Sequence, residues 1–366
     1  MPSFAKQGVN MLKRGFALIV ALYMVVMCAV GCQRSSGTAD VHVFYYTYSD
    51  TYISGVRGAL DTALKEMGLS FQDYDSNSNQ TTQTEQVQTA ITKGAKVILV
   101  NLVNTGSDDA AGGIVSMARN AGIPVIFFNR EVSDSVISSY DQAVYVGTKA
   151  EEAGQLQGDM IGSYLKENFS KVDLNGDGQI SYVLFKGEEG NNEAIYRSKY
   201  SVENANAILE GAGLSKLKFY DSANTSGYLV DKNGQWSAAA ANEYMNTALA
   251  SYNTKNKNMI ELVICNNDGM AQGAITALNG AGFNLGKDSV SVPVFGVDAT
   301  DAAKELIREG KMTGTVKQDA EGMAKALATL AGNAVSEGTE LMANTDEYAI
   351  DENVNKIRIA YAPYFG

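Results

Sequence analysis

The chain has 366 residues, 45% of them hydrophobic, and a net charge of −12. That apolar content can bury the cores of two domains, and only 4 Pro with no long weakly hydrophobic tract argue against an extended disordered linker. So acidic a chain has no electrostatic footprint for nucleic acid, and a single His leaves little basis for Ser–His or Cys–His catalysis or a His-based zinc site.

Lys13-Arg14 precede the apolar run GFALIVALYMVVMCAVG, which ends at Cys32. A basic segment, an apolar segment and small residues before the cut make residues 1–31 a secretory signal. Ala29-Val30-Gly31-Cys32 resembles a bacterial lipobox, which implies lipid attachment at Cys32 and anchoring to a bacterial membrane. Residues 32–40 then form a polar tether. Secretion with a different cut and an uncleaved anchor are the alternatives, the second disfavoured because the run is short for a spanning helix. Cys28 leaves with the signal, and Cys265, within ELVIC, reads as a core thiol.

VHVFYYTY (41–48) reads as an apolar strand, followed by a helix over 53–67 with Val56, Leu60, Leu64 and Met67 on one face. FQDYD is a second strand. The polar stretch SNSNQTTQTEQ leads into a helix beginning at VQTAITKGA. KVILVNLV (96–103) is a buried parallel-type strand, the helix 109–121 ends at Gly122, and 123–129 and 143–147 are strands. A complete βαβαβ half therefore closes by residue 148. The pattern restarts with a helix over 150–166, a strand over 180–186, a helix over 192–211, LKFYD, a helix over 237–250, ELVICN, a helix over 268–281 and VPVFGVD (292–298). A helix over 300–309, strand TGTVK, a helix over 319–337 and one last strand near 355–361 finish the chain. Two parallel-sheet lobes with several crossovers follow, with ligand in the cleft where strand C-terminal ends face each other.

Between the helix over 150–166 and the strand over 180–186 lies DLNGDGQ (173–179). Asp173, Asn175 and Asp177 alternate, Gly178 follows at the turn, and Gln179 can offer its carbonyl, which is the oxygen spacing of a calcium loop. Leu184 stands where such a loop would place its closing carboxylate, and ISYVLF alternates like a strand. The loop is half an EF-hand whose last ligand must come from elsewhere.

Polar residues stand at each strand end: Asp50 and Tyr52, Asn129-Arg130-Glu131, Asn191 with Glu193 and Arg197, Asn266-Asn267-Asp268, Asp298, and Lys317-Gln318-Asp319. Singly, Asp or Asn before a helix is a cap. Together they offer bidentate donors and acceptors at fixed angles. A sugar, a ring of hydroxyls with apolar faces, needs such groups around its rim, and Tyr52 and Trp236 can supply flat surfaces for its faces.

YTYSDTYIS, IFFNRE, YVGTKAEEAGQLQGD, DLNGDGQI, KGEEG, ICNNDGMAQGA, VPVFGVDA and GTVKQDAEGMAKA resemble, in order and almost continuously over Val41–Ala360, the periplasmic galactose/glucose-binding proteins. The resemblance implies a type I periplasmic-binding-protein fold: two doubly wound parallel-sheet α/β lobes joined by a three-crossing hinge. The lobes are expected at 41–148 plus 319–355 and 149–318 plus 356–366, with crossings near 148, 318 and 355. It implies sugar hydrogen bonds from Asp50, Asn129, Arg197, Asn267 and Asp298 and stacking on Trp236. It implies Glu261 as the closing ligand of a structural Ca2+ held by Asp173, Asn175, Asp177 and the Gln179 carbonyl, with Ser181 where the family usually has Gln. Tyr52 replaces Phe, Asn191 a His, Glu193 an Asp and Gln318 an Asn, which leaves the preference among hexoses open.

The expected function is a calcium-containing, lipid-anchored receptor that binds D-glucose or D-galactose and delivers it to an ABC importer, with a chemoreceptor as a further partner. Another sugar or a nucleoside in the same fold is the alternative. A glycosidase using Asp50, Glu193 or Asp298 is disfavoured, because the Asn and Arg partners hold those carboxylates ionised.

Overall fold

The computed structural model describes residues 38–366; the signal segment and Cys32 lie outside them. The first half opens with β1 (Val41–Tyr45), α1 (Thr51–Glu66), β2 (Phe71–Asp75), α2 (Gln80–Thr92), β3 (Val97–Val100) and α3 (Asp109–Ala121). It closes with β4 (Val125–Phe128), α4 (Asp134–Ser138) and β5 (Ala143–Gly147). The second half holds α5 (Ala150–Val172), β6 (Ser181–Lys186), α6 (Asn192–Gly211), β7 (Lys218–Phe219), β8 (Leu229–Val230), α7 (Ala238–Ser251) and β9 (Leu262–Cys265). It continues through α8 (Asp268–Gly280), β10 (Val294–Asp298), α9 (Asp301–Arg308) and β11 (Gly314–Gln318). Helix α10 (Ala320–Val335), β12 (Ala349–Ile350), β13 (Lys356–Arg358) and β14 (Tyr361–Tyr364) complete the chain.

Two sheets result. The first runs β12-β13-β5-β4-β3-β1-β2, and the second β14-β11-β10-β9-β6-β7 with β8 also paired to β6. Pairing is parallel except at β12–β13 and β11–β14. Because side chains alternate across a strand, each strand feeds two cores. Val41, Val43, Tyr45, Val97, Leu99, Ile126 and Phe128 pack with α1 and α10, while Phe44, Ile98, Val100, Val125 and Phe127 pack with α2 and α3. The second sheet is covered by α7, α8 and α9 on one face and by α5 and α6 on the other. Cys265 lies in the first of these cores, where burial pushes its thiol well above the ordinary range. Among the described residues no helix is long and apolar enough to cross a membrane.

Helices α5 and α6 approach closely because Gly154, Gly158 and Gly162 line one face of α5. A Cβ on them would meet Tyr196 O at 2.5 Å, Asn204 Cβ at 2.6 Å and Ile208 Cβ at 2.8 Å. This contact sets the position of Arg197 on α6.

Two expectations are corrected. Helix α2 begins at Gln80 rather than Val87, because the polar stretch satisfies its own backbone. Asn79 Oδ1 caps Thr82 N at 3.0 Å, and buried Gln83 donates to Asn101 O at 2.9 Å and accepts from Val103 N at 3.0 Å. The single last strand is two strands in different sheets. β13 pairs with β5 in the first sheet and β14 with β11 in the second, so residues 356–358 belong to the first lobe and the third crossing falls between Arg358 and Tyr361, not near 355. There Ile359 N donates to Gly147 O at 2.7 Å, Arg358 Nη1 donates to Thr148 O at 2.7 Å, and the Thr148 and Tyr361 hydroxyls meet at 2.7 Å. The polar character of Lys356 and Arg358 is explained by ion pairs: Lys356 with Glu131 at 2.8 Å and Arg358 with Asp351 at 2.6 Å.

At the edge of the first sheet, Asp73 on β2 faces Asp61 on α1, beside Arg57 and Lys65 of α1, the Tyr48 ring, and the fully buried hydroxyl of Tyr45. One oxygen of each aspartate and the Tyr45 hydroxyl lack hydrogen-bond partners. Burial, then the Asp61 carboxylate, push Asp73 up to about 7. The folded chain therefore keeps a proton that the unfolded chain releases near pH 4, so this pair's contribution is full in acid and is lost as pH rises through about 7. Asp73→Asn should remove that loss. In urea denaturation at a series of pH values the variant should gain on the parent between pH 5 and pH 8; parallel curves would contradict the pairing.

Candidate ligand-binding cleft

The strand C-terminal ends of both sheets open on one cavity, with about 370 Å³ of space free of protein atoms. It is lined by Asp50, Tyr52, Asn129, Asn191, Glu193, Arg197, Trp236, Asn267, Asp298 and Gln318, all singled out from sequence, and by Tyr46 and Arg130. Tyr46 was hidden inside an apolar strand run. Arg130 directly follows Asn129, so its place at a strand end was the one signal available for it.

Several lining residues are both caps and cavity walls, which reconciles the two readings of Asp and Asn before a helix. Asp50 caps α1, accepting from Ile53 N at 2.9 Å, and its other oxygen accepts from Tyr46 OH at 2.6 Å. Asn191 caps α6 through Ala194 N at 3.1 Å, leaving its amide to donate to Thr105 Oγ1 of the first lobe at 3.3 Å. Asn267 caps α8 through Met270 N at 2.8 Å and donates to Trp236 O at 3.2 Å. Asn129 directly follows β4 with a positive φ of 62°, and its Oδ1 accepts from Asn101 Nδ2 at 3.0 Å.

The two arginines are held from behind. Arg197 donates to Asn266 O at 2.8 Å, Gln318 Oε1 at 3.1 Å and Tyr361 OH at 3.0 Å. Arg130 lies over the Tyr46 ring, 4.4 Å from its centroid, and donates to Val103 O at 2.9 Å. It also reaches Glu188 of the second lobe at 2.7 Å, and Trp236 Nε1 donates to the same carboxylate oxygen at 3.5 Å.

Four buried polar atoms on these walls have no protein partner: Arg130 Nε, Arg197 Nε, Gln318 Nε2 and Glu193 Oε2. An unsatisfied buried polar group costs about 1–3 kcal/mol, so native structures avoid it or fill it. Burial raises Glu193, with Arg197 pulling the other way. Burial also drives Asp298 well above the carboxylate range, again opposed by Arg197 and reinforced by Asp268 and Asp50. Arg197 stays charged, since Tyr361, Asp298 and Glu193 more than offset its own desolvation. Glu193 and Asp298 thus face Arg197, while Arg130 is already matched by Glu188. Both guanidinium groups on these walls already face carboxyl groups, which leaves little to attract a further anion; an uncharged ligand rich in hydroxyls can accept from the guanidinium and amide groups and donate to the carboxyl oxygens.

The aspartate-rich loop lies apart from this cavity, between α5 and β6. Its carboxylates accept from backbone N–H groups: Asp173 from Gly176 at 2.8 Å and Gly178 at 2.9 Å, and Asp177 from Gln179 at 2.9 Å. Glu261 arrives as the resemblance implied, accepting from Leu174 N at 2.8 Å, Asn175 N at 3.1 Å and Ser181 N at 3.0 Å. The Ser181 hydroxyl donates to Met259 O at 2.5 Å, so it is engaged with the backbone. Among the described residues no three His, Cys, Asp or Glu side chains are gathered closely enough to hold an ion. The donor set is one of hard oxygens, which suits Ca2+, but holding it requires Asp173, Asp177 and Glu261 to turn from their N–H partners toward a common centre.

Comparison with known proteins decides the family. A model of the periplasmic binding protein domain matches residues 41–340. The chain belongs to the periplasmic binding protein family. It is 37% identical over 320 residues to a D-galactose/methyl-galactoside-binding periplasmic protein of Haemophilus influenzae, covering 85% of this chain and 88% of that one. A putative rhizopine-binding protein of Rhizobium meliloti is 26% identical over 308 residues, 84% of this chain and 86% of its own. Among solved structures, an ABC transporter solute-binding protein from Bacillus halodurans with bound myo-inositol superposes with a TM-score of 0.66 at 26% identity, covering 91% of this chain and 96% of that one. As a periplasmic binding protein, the chain places its two lobes around the cavity just described.

Arg130–Glu188 is the shortest charged contact joining the two walls of this cleft. Glu188→Gln weakens the partner of a buried guanidinium, and we expect a loss of about 1–3 kcal/mol in unfolding free energy by urea titration. An unchanged midpoint would show that the pair is not formed in solution.

Proposed function

We propose that the chain is an extracytoplasmic receptor that binds a neutral hexose, D-glucose or D-galactose, in the interlobe cleft and delivers it to an ABC importer. The observation that carries this reading is the set of four partnerless polar atoms on Arg130, Arg197, Gln318 and Glu193, residues that line one cavity together with Trp236 and Tyr52. A hexose presents apolar faces to the two rings and a rim of hydroxyls to Asp50, Asn129, Asn191, Glu193, Arg197, Asn267, Asp298 and Gln318. The galactoside-binding relative supports the ligand class. The role is binding rather than catalysis, because the relatives compared are binding proteins; the expectation that Asn and Arg partners hold all three carboxylates ionised is corrected, since burial raises Glu193 and Asp298 despite Arg197.

Cys32 anchors the receptor to a bacterial membrane through lipid in this reading, and a chemoreceptor is a further partner of the closed form. Ca2+ would be held by Asp173, Asn175 and Asp177 through side chains, by the Gln179 carbonyl and by Glu261. It would tie the end of α5 to β6 and β9, a stabilising rather than a switching role.

Titration calorimetry against a hexose panel should show saturable binding of at least one aldohexose, weakened tenfold or more by Trp236→Ala. No heat with any aldohexose would overturn the reading. The melting temperature should be higher in calcium than in chelator, and Asp177→Ala should abolish the difference with less effect on sugar affinity. Equal melting in both would remove the metal from the account.

A further inference from the structure

Asp268, the first residue of α8, lies behind Asp298 and is fully buried. Both its oxygens are occupied. Oδ1 accepts from Thr315 Oγ1 at 2.7 Å, and Oδ2 accepts from Thr300 N at 2.8 Å and Thr300 Oγ1 at 3.3 Å. Thr315 Oγ1 in turn accepts from Ala299 N at 3.4 Å. One carboxylate therefore grips both residues after Asp298, directly at Thr300 and through Thr315 at Ala299.

The turn it grips is strained. Asp298 has φ of 123° and Ala299 of 55°, a region that side-chain-bearing residues rarely adopt and hold only when surroundings impose it. Space for the carboxylate comes from Gly296, where a Cβ would lie 2.3 Å from Asp268 Oδ1. Burial of an aspartate at this point is costly, and the fold accepts that cost at the back wall of the cleft. We infer that Asp268 is a positioning residue for ligand binding: it fixes the Asp298–Thr300 turn in its strained form and so aims Asp298 into the cavity, without touching ligand itself. This rests on the proposed hexose reading for its affinity readout.

A double-mutant cycle tests it. Asp268→Ala should weaken binding of the best hexose by about 10–100-fold, and Asp268→Asn, which can keep an oxygen on Thr300 and turn its amide to Thr315, should recover most of that loss. In an Asp298→Ala background, Asp268→Ala should cost less than about 2-fold, because the group it aims is gone. Full additivity of the two changes, or Asp268→Ala binding within 2-fold of the parent, would overturn the inference. If the parent binds no hexose, the sugar reading falls, and the crystal structure of the Asp268→Ala variant decides this one: a relaxed Asp298–Ala299 turn supports it, and an unchanged positive φ at both residues overturns it.

Discussion

Polar atoms buried without partners are the constraint on which this architecture turns. Parallel pairing sends the C-terminal ends of β1, β4, β6, β9, β10 and β11 toward one cleft, and each end supplies a group that packing has removed from water. Arg197 shows how far the molecule goes to keep such groups in place. Its guanidinium is held by a backbone carbonyl after β9, by Gln318 at the second crossing and by Tyr361 after the third, while its Nε has no protein partner. The side chain is oriented before any ligand arrives, so a bound hydroxyl gains the hydrogen bond without the cost of ordering the arginine.

The same groups link the walls to the crossings. Tyr361 and Thr148, on different crossings, share a hydrogen bond, and Tyr361 also bears on Arg197. Across the cleft mouth, Glu188 joins Arg130 of one lobe to Trp236 of the other, and Asn191 reaches Thr105. The contacts that join the lobes, Arg130–Glu188 and Asn191–Thr105, are therefore made by residues that also line the cavity or touch one that does.

Much of this was legible in the sequence because parallel strands buried on both faces read as short apolar runs, and because their last residues are polar. KVILVNLV and VPVFGVDA show both features, and Asp298 could be placed at its strand end before any coordinates. Three things were not legible. The helix over Gln80–Thr92 carries its buried polar contacts through Gln83 and shows little apolar periodicity, so its first turns looked like loop. The final crossing depends on which sheet accepts Lys356–Arg358, and strand partners far apart in sequence leave no local mark. Tyr46 and Arg130 act in the cavity through packing on each other and through Glu188, a contact between segments that no spacing reveals. The aspartate-rich loop is the converse case: its oxygen spacing is plain in sequence, whereas the folded loop satisfies its carboxylates with backbone N–H groups.

Trp236 is the sole tryptophan of the chain and sits in the cavity wall, so intrinsic fluorescence reports directly on whether a sugar ring enters there. Titrating D-glucose and D-galactose separately while exciting the indole should give a saturable shift in intensity or wavelength with at least one of them, and Arg197→Ala should abolish it at the same concentrations. An indole signal that stays flat with both sugars in the folded parent chain would contradict the claim that the two lobes clamp a hexose between them.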